Sequence, residues 1–462
     1  MKNEITAHKP FGMKDKIGYM FGDFANDLTF VLSSMMLLKF YTDVMGVSAA
    51  IVGAMMMIAR FVDAFSDVTM GQIVDRSKPT AKGKFSPWLI RMCGPVAIAS
   101  VLLYPTWFVN MPMSFKIFWM FFSYLLWGSV CYTGINIPYG SMASAISAKP
   151  EDRTTLSNWR TIGATLGNIA IGVVLPLFVY YSDADGKKYL SGSKLTIAAV
   201  ICSVLAVVLY LLCYHLTTER VKIEQKTEKF TFMFLINSLI KNKALIGIAV
   251  TSLFLIFSQL TLGNMGSYLY PNYFRNIAIL SIITFIGHAI TLIISLFIEK
   301  IAKKIGKKEL SIVASLFGAI PMLVAFVLHT SSMIVWMVCY CLTWVGVSIF
   351  ILICWAMITD VIDDTEIKTG KRSDGTIYSI YSFCRKLGQA LSSGIIGVLL
   401  SMVGYSTATA FDQPVVDGIY NITCLAPGIA FVLMFLSLVF LYPLDKKTVE
   451  QNATKLKELN HK

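Results

Sequence analysis

Arg60, Asp63 and Asp67 stand in the stretch ARFVDAFSDVTMG (residues 59–71), in a segment that otherwise reads as buried. On a helix, positions three and four apart share a face, so the three form one stripe with its two carboxylates about one turn apart. Close carboxylates in a low dielectric repel each other, and each resists ionising unless a cation or proton sits between them. Binding of Na⁺ or H⁺ relieves that repulsion. Hard oxygen ligands suit such an ion, and Ser66 on the same turn could add another. The plainer reading is that Arg60 neutralises the pair as a structural network. One arginine against two carboxylates leaves net negative charge, which favours the ion site.

Other polar groups interrupt apolar sequence in the same way. GYMFGDFANDLTF carries Asp23 and Asp27 one turn apart with Asn26 beside them. Asp23 either joins this site or caps and pairs near the end of its span. YTGINIPYGS sets Thr133 and Asn136 one turn apart, and Pro138 there removes a backbone donor. Arg160, and Arg385 with Lys386 in SFCRKLGQA, lie deep enough in apolar runs to need partners, although Arg160 could instead snorkel from a span end. Sugars call for carboxylate acceptors and cationic donors at their hydroxyls and an aromatic plate at the ring face. Asp27, Asn136, Arg160 and Lys386 supply the first, and Trp355 or Tyr132 could supply the second. An amino acid or another small polar solute satisfies the same geometry.

The elements that must position these residues are membrane spans. Of 462 residues, 56% are hydrophobic and 15% charged, a balance outside that of soluble globular domains. Apolar runs long enough to cross a bilayer recur about twelve times. They lie near 17–41, 48–73, 88–108, 114–143, 158–182, 195–216, 244–268, 277–298, 310–330, 332–362, 376–403 and 418–442. The fold class expected is all-α integral membrane, twelve transmembrane helices in two six-helix bundles. Residues 1–216 form the first bundle, 217–243 a central cytoplasmic loop, 244–442 the second bundle and 443–462 a cytoplasmic tail. The net charge of +13 could suggest nucleic acid, but the lysines and arginines crowd the termini and even-numbered connections. Lys78, Lys82, Lys84, Lys300, Lys303 and Lys304 are examples. The positive-inside rule then places both termini in the cytoplasm, and nucleic acid is not required. No cleavable leader precedes the first span, so the N-terminus reads as retained. Nine cysteines without metal or disulfide spacing read as small packing residues.

The chain resembles the glycoside-pentoside-hexuronide cation symporters of the major facilitator superfamily, the melibiose permease-like transporters. The likeness rests on FYTDVMG (40–46), ARFVDAFSDVTMG (59–71), GKFSPW (83–88), NIPYGS (136–141), TDVIDDTE (359–366) and SFCRKLGQA (382–390). It implies Asp63 and Asp67 as cation-site carboxylates, possible Na⁺ ligands, with Thr133 as hydroxyl ligand. Ser66 stands where the melibiose permease has an asparagine. It implies Asp27, Arg160, Trp355 and Lys386 as sugar-site residues. Asn136 and Gly140 replace that permease's aspartate and tryptophan, which points away from galactosides and toward glucuronides, xylosides or oligosaccharides. Asp75 and Arg76 resemble the superfamily's cytoplasmic motif after span two, and Asp360, Asp363 and Glu366 hold the corresponding place after span ten. These are expected, with Arg60, in gating ion pairs.

The implied activity is symport of a glycoside with Na⁺ or H⁺ by alternating access. The protein would be a carrier with no cofactor beyond the coupling cation, acting as a monomer among the lipids of a bacterial cytoplasmic membrane. A lipid carrier of the same superfamily is the nearer alternative. A membrane glycosyltransferase is remote, resting on Asp183 and Asp185 in YSDADGKK as a D-x-D mimic without a soluble catalytic domain.

Overall fold

The computed structural model describes residues 10–80, 82–221, 242–370 and 374–460. The polar centre expected at 217–243 therefore lies mostly outside the described residues, as does the N-terminal lysine cluster at Lys2 and Lys9. Among the described residues twelve long helices follow one another. They are α1 (Met13–Asp43), α2 (Ala49–Arg76), α3 (Ser86–Leu102), α4 (Met113–Ile146), α5 (Glu151–Val179) and α6 (Gly192–Leu216). Then come α7 (Lys243–Tyr273), α8 (Ala278–Ser295), the short α9 (Ile298–Ile305), α10 (Lys307–Leu328) and α11 (Met333–Thr369). The series closes with α12 (Asp374–Met402), α13 (Gln413–Leu441) and a tail helix α14 (Lys446–Asn460).

Ten of these are long and apolar enough to cross a membrane. The two long helices outside that group, α1 and α12, are each interrupted by charge. α1 holds Asp15, Asp23, Asp27 and Lys39, and α12 holds Arg385 and Lys386. Their mean hydropathy is lowered by the groups that give them chemistry. Boundaries differ from the sequence reading where turn chemistry intervenes. α5 starts well before 158, because proline at position 150 is tolerated in a first turn and Glu151 and Asp152 favour a helix start. It stops at Val179, where an antiparallel hairpin of β1 (Tyr180–Ser182) and β2 (Lys188–Leu190) begins. α11 runs on to Thr369, seven residues past the apolar stretch, and ends at Gly370 with φ of +67°.

The chain divides into two compact units. The first comprises Met1–Ser48 with Phe61–Thr227. In it α1 packs on α5 and α6, and α3 packs on α4 and α6. The α1–α5 crossing is made by glycines. A Cβ on Gly163 would meet the Met20 carbonyl oxygen at 2.3 Å, and one on Gly167 would meet Asp27 Cβ at 2.5 Å. Such close backbone approach is how membrane helices gain packing where lipid offers no hydrophobic drive. At one end of this unit the tetrapeptide 217–220 works as a strap. Glu219 accepts the backbone N–H of Lys84, Phe85 and Ser86 at 2.8, 3.0 and 2.6 Å, which caps the start of α3. Arg220 donates to Asp15 from Nη2 at 2.9 Å, and its backbone N–H reaches the Ala145 carbonyl at 2.7 Å.

The second unit comprises Ala49–Arg60 with Glu228–Lys462. α7 packs on α12 and α13, α10 on α11 and α13, and α8 on α11. The first part of α2 belongs here, with the Ala50 N–H donating to Ser401 Oγ at 2.8 Å. α14 docks on the end of α11, where Asn452 donates to the buried Asp364 at 3.2 Å. Asp445 caps α14 by accepting the Thr448 N–H at 2.8 Å. The Thr448 hydrogen bonds hold its carboxyl below the ordinary value. A depressed carboxyl stabilises above its unfolded pKa, so the cap holds near neutral pH and weakens as pH falls below the usual carboxylate range. Asp445→Ala is expected to cost the tail helix about 1 kcal/mol, read as faster amide exchange confined to 446–460.

Candidate functional site

Within the first unit the site is built between α2 and α4. Asp63 and Asp67 lie one turn apart on α2, and α4 meets each with a hydroxyl. Ser129 Oγ donates to Asp63 Oδ1 at 2.6 Å and Thr133 Oγ1 donates to Asp67 Oδ1 at 2.8 Å. Asp63, Ser129 and Thr133 are buried, and Asp67 is half-buried. A π-helical stretch over Leu126–Tyr132 in α4 aims these hydroxyls. Its wider turn frees backbone bonding, and Thr133 Oγ1 also reaches the Gly128 carbonyl at 3.1 Å. Gly128 permits the approach, since a Cβ there would stand 3.3 Å from Asp63 Oδ1. The Ser66 hydroxyl donates to the Asp63 backbone carbonyl at 3.1 Å. The hydroxyl at Asp63 comes from Ser129, which passed unnoticed inside the apolar run LWGSVCY.

A second cluster joins α1, α4, α5 and α6. Arg160 Nε donates to Asp23 Oδ1 at 2.8 Å, and its guanidinium lies 5.5 Å from the Tyr139 ring centroid. Tyr139 stacks on Tyr19 at 4.7 Å and donates to the Tyr19 carbonyl at 2.6 Å. Asp23 thus enters the interior with Arg160 as its counterion. Asp27, half-buried on the next turn, accepts from Asn168 Nδ2 at 3.1 Å. Asn26 accepts from Tyr210 at 2.7 Å and donates to Asn136 at 3.4 Å. Tyr132 stacks on Phe30 at 5.5 Å and lies 5.4 Å from Trp127. Asn168 and Tyr210 escaped sequence reasoning because neither is charged and their partners are far away in the chain.

In the second unit Trp355 on α11 packs edge-on to Tyr381 at 5.1 Å, and the Arg385 guanidinium stands 5.8 Å from the Trp355 ring. Trp355 keeps 48% of its surface exposed, which suits an aromatic plate. Lys386 follows Arg385 on α12 and is half-buried. Arg60 is buried and belongs to this unit.

The expected gate residues are distributed as follows. Lys307 Nζ donates to both oxygens of Asp360, at 2.6 and 2.8 Å, linking α10 to α11. Asp363 and Glu366 are half-buried on α11. Asp75 takes Lys84 at 3.8 Å from Oδ1. Arg76 is exposed and makes no ion pair among the described residues. The buried Asp364, bonded to Lys368 at 2.7 Å, was not singled out from sequence. Asp183, offered as half of a D-x-D, accepts the amides of Asp185 and Lys187 at 3.1 and 2.8 Å, the bonding of a hairpin turn.

Comparison with known proteins follows the same lines. The family described as MFS/sugar transport protein matches residues 18–446. The uncharacterized symporter YjmB of Bacillus subtilis (strain 168) is 31% identical over 99% of this chain and 97% of its own. A glucuronide carrier protein homolog of Escherichia coli (strain K12) is 29% identical over 94% of this chain and 93% of its own. Among solved structures, a bacterial homologue of the human lysosomal transporter Spinster superposes with a TM-score of 0.69 at 13% identity. That superposition covers 94% of this chain and 98% of the other, a likeness of fold.

Proposed function

This chain belongs to the MFS/sugar transport protein family, and we propose from that premise that it imports a glycoside in symport with a small cation. It is a multi-pass membrane transporter, not an enzyme, and its cargo is a small sugar-type molecule. The observation that carries the cation half is the double pairing of α2 carboxylates with α4 hydroxyls, Asp63 with Ser129 and Asp67 with Thr133. Four oxygen-bearing side chains from two helices, largely withdrawn from water, form a hard-ligand set of the kind Na⁺ accepts, and the same carboxylates can instead take a proton.

In the first unit Asp27, Asn168, Asn26, Asn136 and Arg160 are the sugar-binding candidates, and in the second unit Trp355 and Lys386 are candidates of their own. Asp27 supplies acceptors for hydroxyls, while Arg160, bonded to Asp23 through Nε, brings a fork of cationic donors suited to an oxygen-rich ligand. The likeness to a glucuronide carrier favours a glycoside that bears a carboxylate, for which those donors are matched. In this reading the cation settles Asp63 and Asp67, the sugar site beside them becomes ordered, and the fully loaded or empty carrier reorients. Alternating access of this kind rocks repeat bundles around a site near the bilayer midplane. Both termini lie in the cytoplasm, and the monomer in a bacterial cytoplasmic membrane is the working unit.

The test is uptake into proteoliposomes of a panel of labelled glycosides, with sodium and proton gradients imposed separately. Accumulation of a glycoside under one of the gradients, with reciprocal enhancement of sugar and cation binding, is the expected result. Equal uptake with and without both gradients overturns the symport reading, and uptake of a lipid in preference to every glycoside overturns the substrate class.

A further inference from the structure

α9 (Ile298–Ile305) is too short to span a membrane and too apolar on one side to be a plain cytoplasmic turn. Phe297, Ile301 and Ile305, four residues apart, form one stripe and remain 55%, 40% and 45% exposed. The adjoining face, one residue or about 100° round the helix, is used internally, with Ile298 buried and Ala302 packed against the core of the second unit. The exposed stripe is continuous in sequence with the outer face of α8, where Leu292, Ile293 and Leu296 are 61%, 59% and 73% exposed. The lipid-facing surface of α8 thus turns a corner and carries on along α9.

Charge flanks the stripe. Lys300, Lys303 and Lys304 are exposed, and Lys307 and Lys308 follow within a turn. Glu299 is held by Lys303 at 2.7 Å, which keeps its carboxyl below the ordinary value. Glu309 accepts the Lys446 backbone N–H at 3.1 Å. Lys300 and Lys304 make no ion pair among the described residues. An apolar stripe bordered by Lys300 and Lys304, with no ion pair to either among the described residues, fits a surface that offers acyl chains beneath and phosphates above.

We propose that α9 is an interfacial anchor that seats Phe297, Ile301 and Ile305 at the acyl boundary and binds anionic phospholipid headgroups through Lys300 and Lys304. Its effect on the transporter is direct. Gly306, with φ of +113°, ends α9, and the next residue is Lys307, the partner of Asp360. Lys446 Nζ closes the other contact by donating to the Lys304 carbonyl at 3.1 Å, which ties the tail to the end of α9. A helix fixed to the leaflet therefore holds one side of the Lys307–Asp360 pair in place. The inference is independent of which solute or cation is carried.

The experiment is amide hydrogen exchange on the full chain in nanodiscs of phosphatidylcholine alone and of phosphatidylcholine mixed with phosphatidylglycerol. The expected result is exchange at 298–305 slower by about thirtyfold in the anionic discs, the effect of two lysines at such a surface, and relieved by high salt. Lys300→Gln with Lys304→Gln should remove the difference between the discs. Ile301→Asn with Ile305→Asn should raise exchange in both. Lys447→Gln with Lys455→Gln, an equal loss of exposed charge on α14, should leave the α9 difference intact. Identical exchange in the two discs, or loss of the difference in the α14 variant as well, overturns the proposal.

Discussion

Asp63→Asn is expected to lower gradient-driven accumulation by about a hundredfold, the upper end of what altering the surroundings of a bound metal costs. The amide keeps the shape of the carboxylate and its acceptor for Ser129, so α2 and α4 remain packed. What is lost is the negative charge that makes a cation or proton necessary. Asp67→Asn should act in the same way through Thr133. Ser129→Ala removes a 2.6 Å hydrogen bond to a carboxylate and should weaken cation binding by about tenfold, in line with hydrogen bonds to charged groups. Counterflow exchange of sugar across the membrane separates coupling from folding. A variant that has lost accumulation but keeps counterflow is folded and uncoupled. Wild-type accumulation and gradient dependence in both asparagine variants would remove the coupling site.

Gly163→Leu is expected to prevent stable assembly of the first unit. The nearest atom to the new side chain is a backbone oxygen, Met20 O at 2.3 Å, which cannot rotate away as a side chain could. Overpacking against backbone costs about 3 kcal/mol or more, enough to show as poor yield and a lowered melting temperature. Gly167→Val is the more informative variant because its clash is with Asp27 itself, at 2.5 Å. It should weaken glycoside affinity more than stability, as seen by ligand-induced thermal shift. Gly71, whose Cβ would meet nothing within 4 Å, is the control, and Gly71→Ala should leave both properties unchanged. Equal effects at all three positions would mean that the α1–α5 approach is not what sets them.

The spans were legible because a bilayer imposes a length and a solvent, and both print directly on the sequence as apolar runs with lysine-rich ends. The carboxylates of α2 were legible for the same reason, since charge inside such a run has few explanations. Their partners were not. Ser129 looks like any small residue in LWGSVCY, and a π-helical turn leaves no propensity signal that would aim it. Ser66 shares a turn with Asp63 and donates to that residue's backbone carbonyl, as serine in a helix readily does, which leaves its oxygen lone pairs for a cation. Asp23 and Arg160, 137 positions apart, each looked like a residue near a span end until paired. α9 was hidden because its apolar residues merged with the tail of the preceding run, which the sequence reading carried to 298.

Glu219 and Arg220 bear on how this polypeptide could be divided. Among the described residues Glu219 holds Lys84, Phe85 and Ser86, and Arg220 holds Asp15 and Ala145, all of them earlier in the chain. By connectivity they look like the first residues of a tether, but by bonding they are the last stitches of the amino-terminal half. Two co-expressed fragments meant to reassemble should therefore be severed after Val221. A cut at Leu216 strips the α3 start of its cap and leaves the Asp15 carboxylate without its guanidinium before the halves ever meet.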